Sequence, residues 1–340
     1  MKVLRLHGPG DLRLADEPEP ALPPGHSLVR ITSVGICGSD LQWFAHAGIG
    51  DVRVDRPLVL GHEMAGIVEA GPRTGQRVAL DPAMSCGACA DCRGGNPNLC
   101  GRIVFAGHAG QDGGLREKLT WPTQLLHPLA EHLTDADGAM LEPLGVALHA
   151  VDLAHLRQGM HVLVVGCGPI GLLIVRLARL AGASTVAALE PLAHRRKAAQ
   201  RVGAAIAVER ADDLPAVLDE VTSGRGADVA FEVTDSGSAP ETAMAGVRAG
   251  ARVVLVGIPD DDRTSFRASL ARRKGLTLVF VRRMKASYPR AIGLLEQGTV
   301  DAASLVSGRY PFERAGEAFE VAARREGLKI VVEPTQPEVR

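Results

Sequence analysis

The segment that most constrains this chain runs from His161 to Gly171. His161-Val162-Leu163-Val164-Val165 has the continuous apolar pattern of a parallel strand buried on both faces. Gly166-Cys167-Gly168-Pro169-Ile170-Gly171 follows at once and fits G-x-G-x-x-G, and Leu172, Val175, Leu177 and Leu180 then mark one face of a helix. In this strand-turn-helix setting the three glycines have separate tasks. Gly166 makes the tight turn, Gly168 lets backbone approach a pyrophosphate, and Gly171 lets helix and strand pack closely. The start of the helix then offers its positive end to the phosphates. Glu190 closes the next strand, Val186–Leu189, where an acid accepts ribose hydroxyls and repels a 2′-phosphate. This favours NAD. Arg195 and Arg196 follow and keep NADP as the second choice.

Further buried strands at Val229–Val233 and Val253–Val256 alternate with helical stretches, which specifies an α/β doubly wound parallel sheet. The texture before about residue 150 differs. Val3–Leu6, Leu12–Leu14, Ser27–Thr32, Gly61–Ala70 and Arg77–Leu80 are short strand patterns, broken by Pro18, Pro20, Pro23 and Pro24. A helix at Pro289–Gln297 and a closing strand at Leu328–Val332 return to that texture. The expected plan is a catalytic domain of residues 1–148 and 285–340, interrupted by a nucleotide domain of residues 149–284.

The 340 residues carry a net charge of −1 with acids and bases interspersed, so no basic stripe points to nucleic acid or a lipid surface. Gly168–Ala183 is the longest apolar stretch, and Arg176 and Arg179 interrupt it. The N-terminus lacks the apolar segment of an export signal, so a cytoplasmic protein is expected. In a reducing compartment a cysteine cluster reads as a metal site. Cys86, Cys89, Cys92 and Cys100 have the spacing C-x2-C-x2-C-x7-C among Gly- and Pro-rich turns, which suits a closed structural zinc site. Arg272, Arg273 and Lys274 read as a solvated basic face, and His149 as a satisfied helix histidine.

A second group of potential zinc ligands is scattered more widely. Cys37 lies in Gly35-Ile36-Cys37-Gly38-Ser39-Asp40, His62 and Glu63 lie in Leu60-Gly61-His62-Glu63, and Glu142 lies in Leu141-Glu142-Pro143-Leu144. Thiolate, imidazole and carboxylate suit a catalytic zinc that keeps a position open for water or substrate.

These segments, with Asp112-Gly113-Gly114 and the glycine fingerprint, occur in the order seen in zinc-dependent medium-chain dehydrogenases, which the whole chain resembles. Within that superfamily Gly48–Asp51, Arg56–Glu63, Arg282 through Tyr288–Ala291, and Tyr310–Phe312 are most similar to sorbitol and polyol dehydrogenases. The resemblance implies a GroES-like β-rich catalytic domain joined to a Rossmann domain, with one catalytic and one structural zinc per chain. It implies Cys37 and His62 as zinc ligands, with Glu63 and Glu142 dividing the remaining role between ligand and holder of water or substrate. Ser39 would accept the hydroxyl proton and Asp40 would orient His62. Trp43, Phe105 and Arg283 fall where relatives line the substrate pocket. Ile170, Glu190, Arg195, Val256 and Gly257 fall where they touch the cofactor.

Three positions depart from the pattern. Gln42 stands where many relatives have a proton-carrying histidine. His108 replaces a small hydroxyl residue, and Met284 replaces an aromatic. The expected substrate is therefore a secondary alcohol of a polyol, sugar or cyclitol, with no single compound named. A threonine-type amino-alcohol dehydrogenase is the alternative, and a non-catalytic NAD-binding protein ranks third. A homodimer or homotetramer is expected.

Overall fold

His26–Gly35 is the strand around which the first part of the chain is organised. Its burial alternates strictly at its start and is complete from Ile31 to Gly35, where side chains on both faces are covered. Glu63–Ala70 and Lys118–Pro122 pair with it antiparallel, and Lys329–Glu333 joins its far end. These belong to a seven-stranded sheet that also contains Leu126–Pro128, Arg77–Leu80 and Val306–Pro311. The register matters for the site. Gly35 lies opposite Glu63 on one side and opposite Val331 on the other. Val29, Ile31, Val34, Met64, Leu80, Trp121 and Phe319 form the core beneath, each such side chain worth roughly 1.5–3 kcal/mol when fully buried.

Residues 1–335 are described in the computed structural model. The chain divides into two compact units, Met1–Glu142 together with the chain from Lys285 onward, and Pro143–Met284. The division falls within the helix Asp135–Ala154, which carries Pro143 in its interior.

The second unit holds a six-stranded, all-parallel sheet. Its order is Ile206–Val208, Thr185–Leu189, His161–Val165, Ala227–Glu232, Val247–Leu255 and Thr277–Phe280. The chain winds outward on one side of His161–Val165 and then on the other, so the order reverses between that strand and Ala227–Glu232. Ligands of doubly wound sheets bind at the carboxyl ends of strands at this reversal. The fingerprint loop follows His161–Val165 directly, and the amphipathic helix Pro169–Leu180 buries Leu172, Val175 and Leu177.

One sequence expectation needs correction. Arg272 and Arg273 are exposed, but Lys274 turns inward and donates to the carbonyls of Met244, Ala245 and Val247 at 3.1, 2.7 and 2.6 Å. It satisfies the end of the helix Ala239–Ala245, whose last carbonyls have no partner within the helix. No helix among the described residues is long and apolar enough to cross a membrane.

Candidate active site

Two segments of the first unit bring the dispersed candidate metal ligands together. Cys37 is the N-cap of the helix Gly38–His46, so its sulfur lies at the end of a helix that favours negative charge. Asp40, in the first turn, reaches back and accepts a hydrogen bond from the Cys37 N–H at 2.9 Å. The other oxygen of Asp40 accepts from the Gly61 N–H at 3.2 Å and lies 3.5 Å from Nδ1 of His62. One buried carboxylate thus ties the Cys37 turn to the segment that delivers His62. Ser39 is half-buried between Cys37 and Asp40 in sequence.

Cys37, His62 and Glu63 place one ligand atom each within 4.8 Å of one another. Thiolate, imidazole and carboxylate in such a group suit zinc with an open fourth position. Burial disfavours a charge on His62, but Asp40 outweighs it and holds the ring's pKa well above the usual histidine value. A metal on this ring has to displace that proton. Asp40 itself is buried, which alone would raise its pKa, yet His62 and the two N–H donors hold it below the ordinary aspartate value.

Glu142 stands outside this three-residue group but is felt by it. Burial pushes its carboxyl up to about 7, with His62 opposing and Glu63 reinforcing the shift. Phe105 packs against His62 with ring centroids 5.4 Å apart, and Trp43 meets His108 edge to face at 5.2 Å. His108, half-buried, therefore packs its ring against Trp43. Arg283 belongs to the other unit and has a backbone φ of 53°, in the left-handed region that costs energy for a residue with a side chain.

Sequence reading missed Lys329. Its ammonium donates to both carboxylate oxygens of Glu63, at 2.7 and 2.6 Å, and to the Ile36 carbonyl at 3.0 Å. Lys329 and Glu63 are 2% and 1% exposed, so this is a fully desolvated ion pair. The signal was present in the sequence as a lone charge opening the apolar run Ile330-Val331-Val332. Gly35 was missed as well. A Cβ there would overlap Oε2 of Glu63, so only glycine leaves room for that carboxylate.

The four-cysteine lobe is gathered too, with one sulfur from each residue within 4.8 Å of the others and Cys86 Sγ 3.9 Å from Cys92 Sγ. Sulfurs held at about 2.3 Å from a tetrahedral zinc stand about 3.8 Å apart, so the cluster fits that ion. The Ala88 and Cys89 N–H groups push the Cys86 thiol down to about 6.

In the second unit Gly166 has φ 97°, and a side chain there would strike Thr234. A Cβ on Gly171 would overlap the Gly166 carbonyl. Around Gly168 the nearest atom to such a Cβ is Arg195 Nη1 at 3.8 Å, leaving an open cradle suited to a pyrophosphate. Glu190 is buried and accepts N–H bonds from Cys167 at 2.8 Å and Leu192 at 3.0 Å, which fixes its carboxylate beside the turn. Arg196 is turned to the Glu190 and Pro191 carbonyls and to Glu209. Val256 and Gly257 follow the strand Val247–Leu255, and their N–H groups donate to the Glu232 carbonyl at 2.8 and 3.3 Å.

Comparison with known proteins agrees with this geometry. Residues 23–131 match the alcohol dehydrogenase GroES-like domain family, and residues 169–297 match the zinc-binding dehydrogenase family. Sorbitol dehydrogenase from Bacillus subtilis is 31% identical, over 99% of this chain and 98% of its own length. The crystal structure of L-idonate 5-dehydrogenase from Escherichia coli superposes with a TM-score of 0.87 at 28% identity, covering 98% of this chain and 97% of that one. A zinc-binding dehydrogenase structure from Sinorhizobium meliloti, bound to NADP, gives a TM-score of 0.89 at 29% identity, covering 98% and 99%.

Proposed function

The chain belongs to the zinc-dependent medium-chain alcohol dehydrogenase family, and from that premise we propose that it reversibly oxidises a secondary alcohol of a polyol, sugar or cyclitol with NAD. The observation that carries this reading is the convergence of Cys37, His62 and Glu63 beside Ser39. Likeness to sorbitol and L-idonate dehydrogenases supports the polyol class. Cys37, His62 and Glu63 would hold a catalytic zinc, and Cys86, Cys89, Cys92 and Cys100 a structural one, giving two per chain. When bound, zinc supplies a Lewis acid that acidifies a carbinol hydroxyl, and NAD supplies the hydride acceptor.

The chain's own residues do the rest. Ser39 accepts the carbinol proton. Gln42 cannot titrate, so the proton would leave through ordered water, Ser39 and a ribose hydroxyl, or through Glu142, whose carboxyl burial raises to about 7. Asp40 holds Nδ1 of the His62 ring and would leave its other nitrogen to hold the metal. Trp43 and Phe105 exclude water, and Arg283 anchors neighbouring hydroxyls. Gly166, Gly168, Ile170 and Gly171 cradle the pyrophosphate, with Arg195, Val256 and Gly257 as further contacts. Glu190 receives the ribose hydroxyls, and its fixed negative charge disfavours the 2′-phosphate of NADP. We assign the working assembly to a homodimer or homotetramer.

The test is a panel of hexitols, pentitols and cyclitols with NAD and with NADP, read by absorbance of the reduced coenzyme. Cys37→Ser and His62→Ala should each abolish turnover and remove one zinc per chain, while NADH binding by fluorescence persists. Turnover surviving in either variant overturns the assignment.

A further inference from the structure

We propose that Lys329 is a positioning residue whose buried charge weakens binding of the metal, both directly and by drawing on the Glu63 carboxylate. The proposal rests on the reading of Glu63 as a ligand given above.

The strand register makes the contact unavoidable. Gly35 pairs with Glu63 on one side and with Val331 on the other, which brings Lys329, two residues before Val331, to the same end of the sheet. An ammonium has three donors. Lys329 spends them on the two oxygens of Glu63 and on the carbonyl of Ile36, the residue that precedes Cys37. All of its bonding is therefore directed at the segments that carry the metal ligands. The Glu63 carboxylate still has lone pairs available, since two oxygens offer about four acceptor positions.

A purely structural role does not account for a lysine here. Ile330, Val331 and Val332 are buried apolar residues on the same strand. Replacing a buried ion pair by packed apolar side chains is often neutral or stabilising. A buried pair is therefore weak evidence for stability on its own. What the pair supplies is charge. A thiolate at Cys37 and a carboxylate at Glu63 would together cancel a divalent cation. With Lys329 the same group retains one net positive charge, and Glu63 is drawn toward the ammonium as well as the metal. Asp40 and Glu142 also face this group, but Asp40 is committed to the Cys37 and Gly61 N–H groups and to His62. Among the described residues Lys329 is the cation paired with Glu63.

The experiment measures affinity for zinc by competition with a chromophoric chelator, following the equivalent that is lost in Cys37→Ser. Four variants are compared with the parent protein: Lys329→Met, Lys329→Arg, Glu63→Gln and the Lys329→Met/Glu63→Gln double variant. Lys329→Met should bind that zinc at least about tenfold tighter, the scale expected when a unit charge close to a cation is removed in a partly polar interior. Lys329→Arg should restore the parent value within about threefold, because it keeps the charge. The visible spectrum of cobalt(II) bound at the same place should shift in Lys329→Met and return in Lys329→Arg. The double variant contains no unpaired buried charge, so it tests the idea even if Lys329→Met folds poorly. It should bind zinc at least about tenfold tighter than Glu63→Gln alone. Equal affinity in both comparisons, with unchanged cobalt spectra, overturns the role of Lys329. Parent-like affinity in Glu63→Gln would instead overturn Glu63 as a ligand, so the two failures are distinguishable.

Discussion

Replacing Asp40 by asparagine tests the geometry of the metal centre with the smallest possible change. The carboxylate has both oxygens engaged: one accepts from the Cys37 N–H at 2.9 Å, the other from the Gly61 N–H at 3.2 Å and lies 3.5 Å from the His62 ring. Asparagine keeps one acceptor and turns the other into a donor. Whichever way the amide is set, an NH2 group faces an N–H, and at least one buried donor loses its partner. A hydrogen bond to a charged group contributes about 1.5–3 kcal/mol net. An orphaned buried donor costs about 1–3 kcal/mol. The expected loss of stability in the first unit is therefore about 2–4 kcal/mol. The second effect is on the metal. Substituting the partner that orients a ligating histidine typically lowers affinity about 10–100-fold. Chelator competition for the Cys37-dependent zinc should show that fall, while circular dichroism and NADH binding remain those of the parent. If Asp40→Asn binds this zinc as tightly as the parent protein, His62 is oriented by something else and the reasoning fails.

Gly35→Ala should push the Glu63 carboxylate out of place and lower turnover at least about tenfold, with NADH binding retained; parent-like kinetics would mean that carboxylate has room the structure does not show. Cys100→Ser should release one zinc equivalent and open the segment 86–100 to proteolysis, because metal binding supplies most of the folding energy of so small a lobe. His127 stacks on Tyr288 with centroids 4.6 Å apart, and burial, aided by Arg73, pushes its pKa down to about 4. The unfolded chain then binds a proton here at higher pH than the folded one, so this residue's contribution is fully present above about pH 6.5 and is lost as pH falls toward about 4. With solvent screening at a half-buried ring the loss is about 1–2 kcal/mol. His127→Phe should remove that part of the pH dependence of the urea midpoint, and an unchanged slope between those limits would count against it.

Much of this fold could be read locally. His161–Val165 and the turn Gly166–Gly171 carry their own signal, because a doubly buried strand needs an unbroken apolar run and the turn needs glycine where φ is positive. The four cysteines are equally legible, since their ligation depends on short spacings. The strand Val247–Leu255 begins six residues before the stretch read as Val253–Val256, because Arg248, Gly250 and Arg252 interrupt its apolar pattern while Arg248 is held by Asp228 at 2.8 Å. Lys274 looked like part of a basic surface, and only the carbonyls of a different segment give it an inward role.

The metal centre divides along the same physical line. Cys37, Ser39 and Asp40 share one turn, and His62 and Glu63 are adjacent, so residue type marks them as candidates and the family resemblance supplies the roles expected of them. What tunes them cannot. Gly35 and Lys329 act on Glu63 through strand pairing, and the separation of Lys329 from Glu63 is 266 residues. No local pattern encodes which lysine will cross a sheet to meet which carboxylate; that follows from the register of Lys329–Glu333 against His26–Gly35. A sequence can therefore offer the candidate ligands of a site like this one while leaving its charge undeclared. On the role proposed for Lys329, the charge beside the candidate ligands is set by a strand distant from them in the chain.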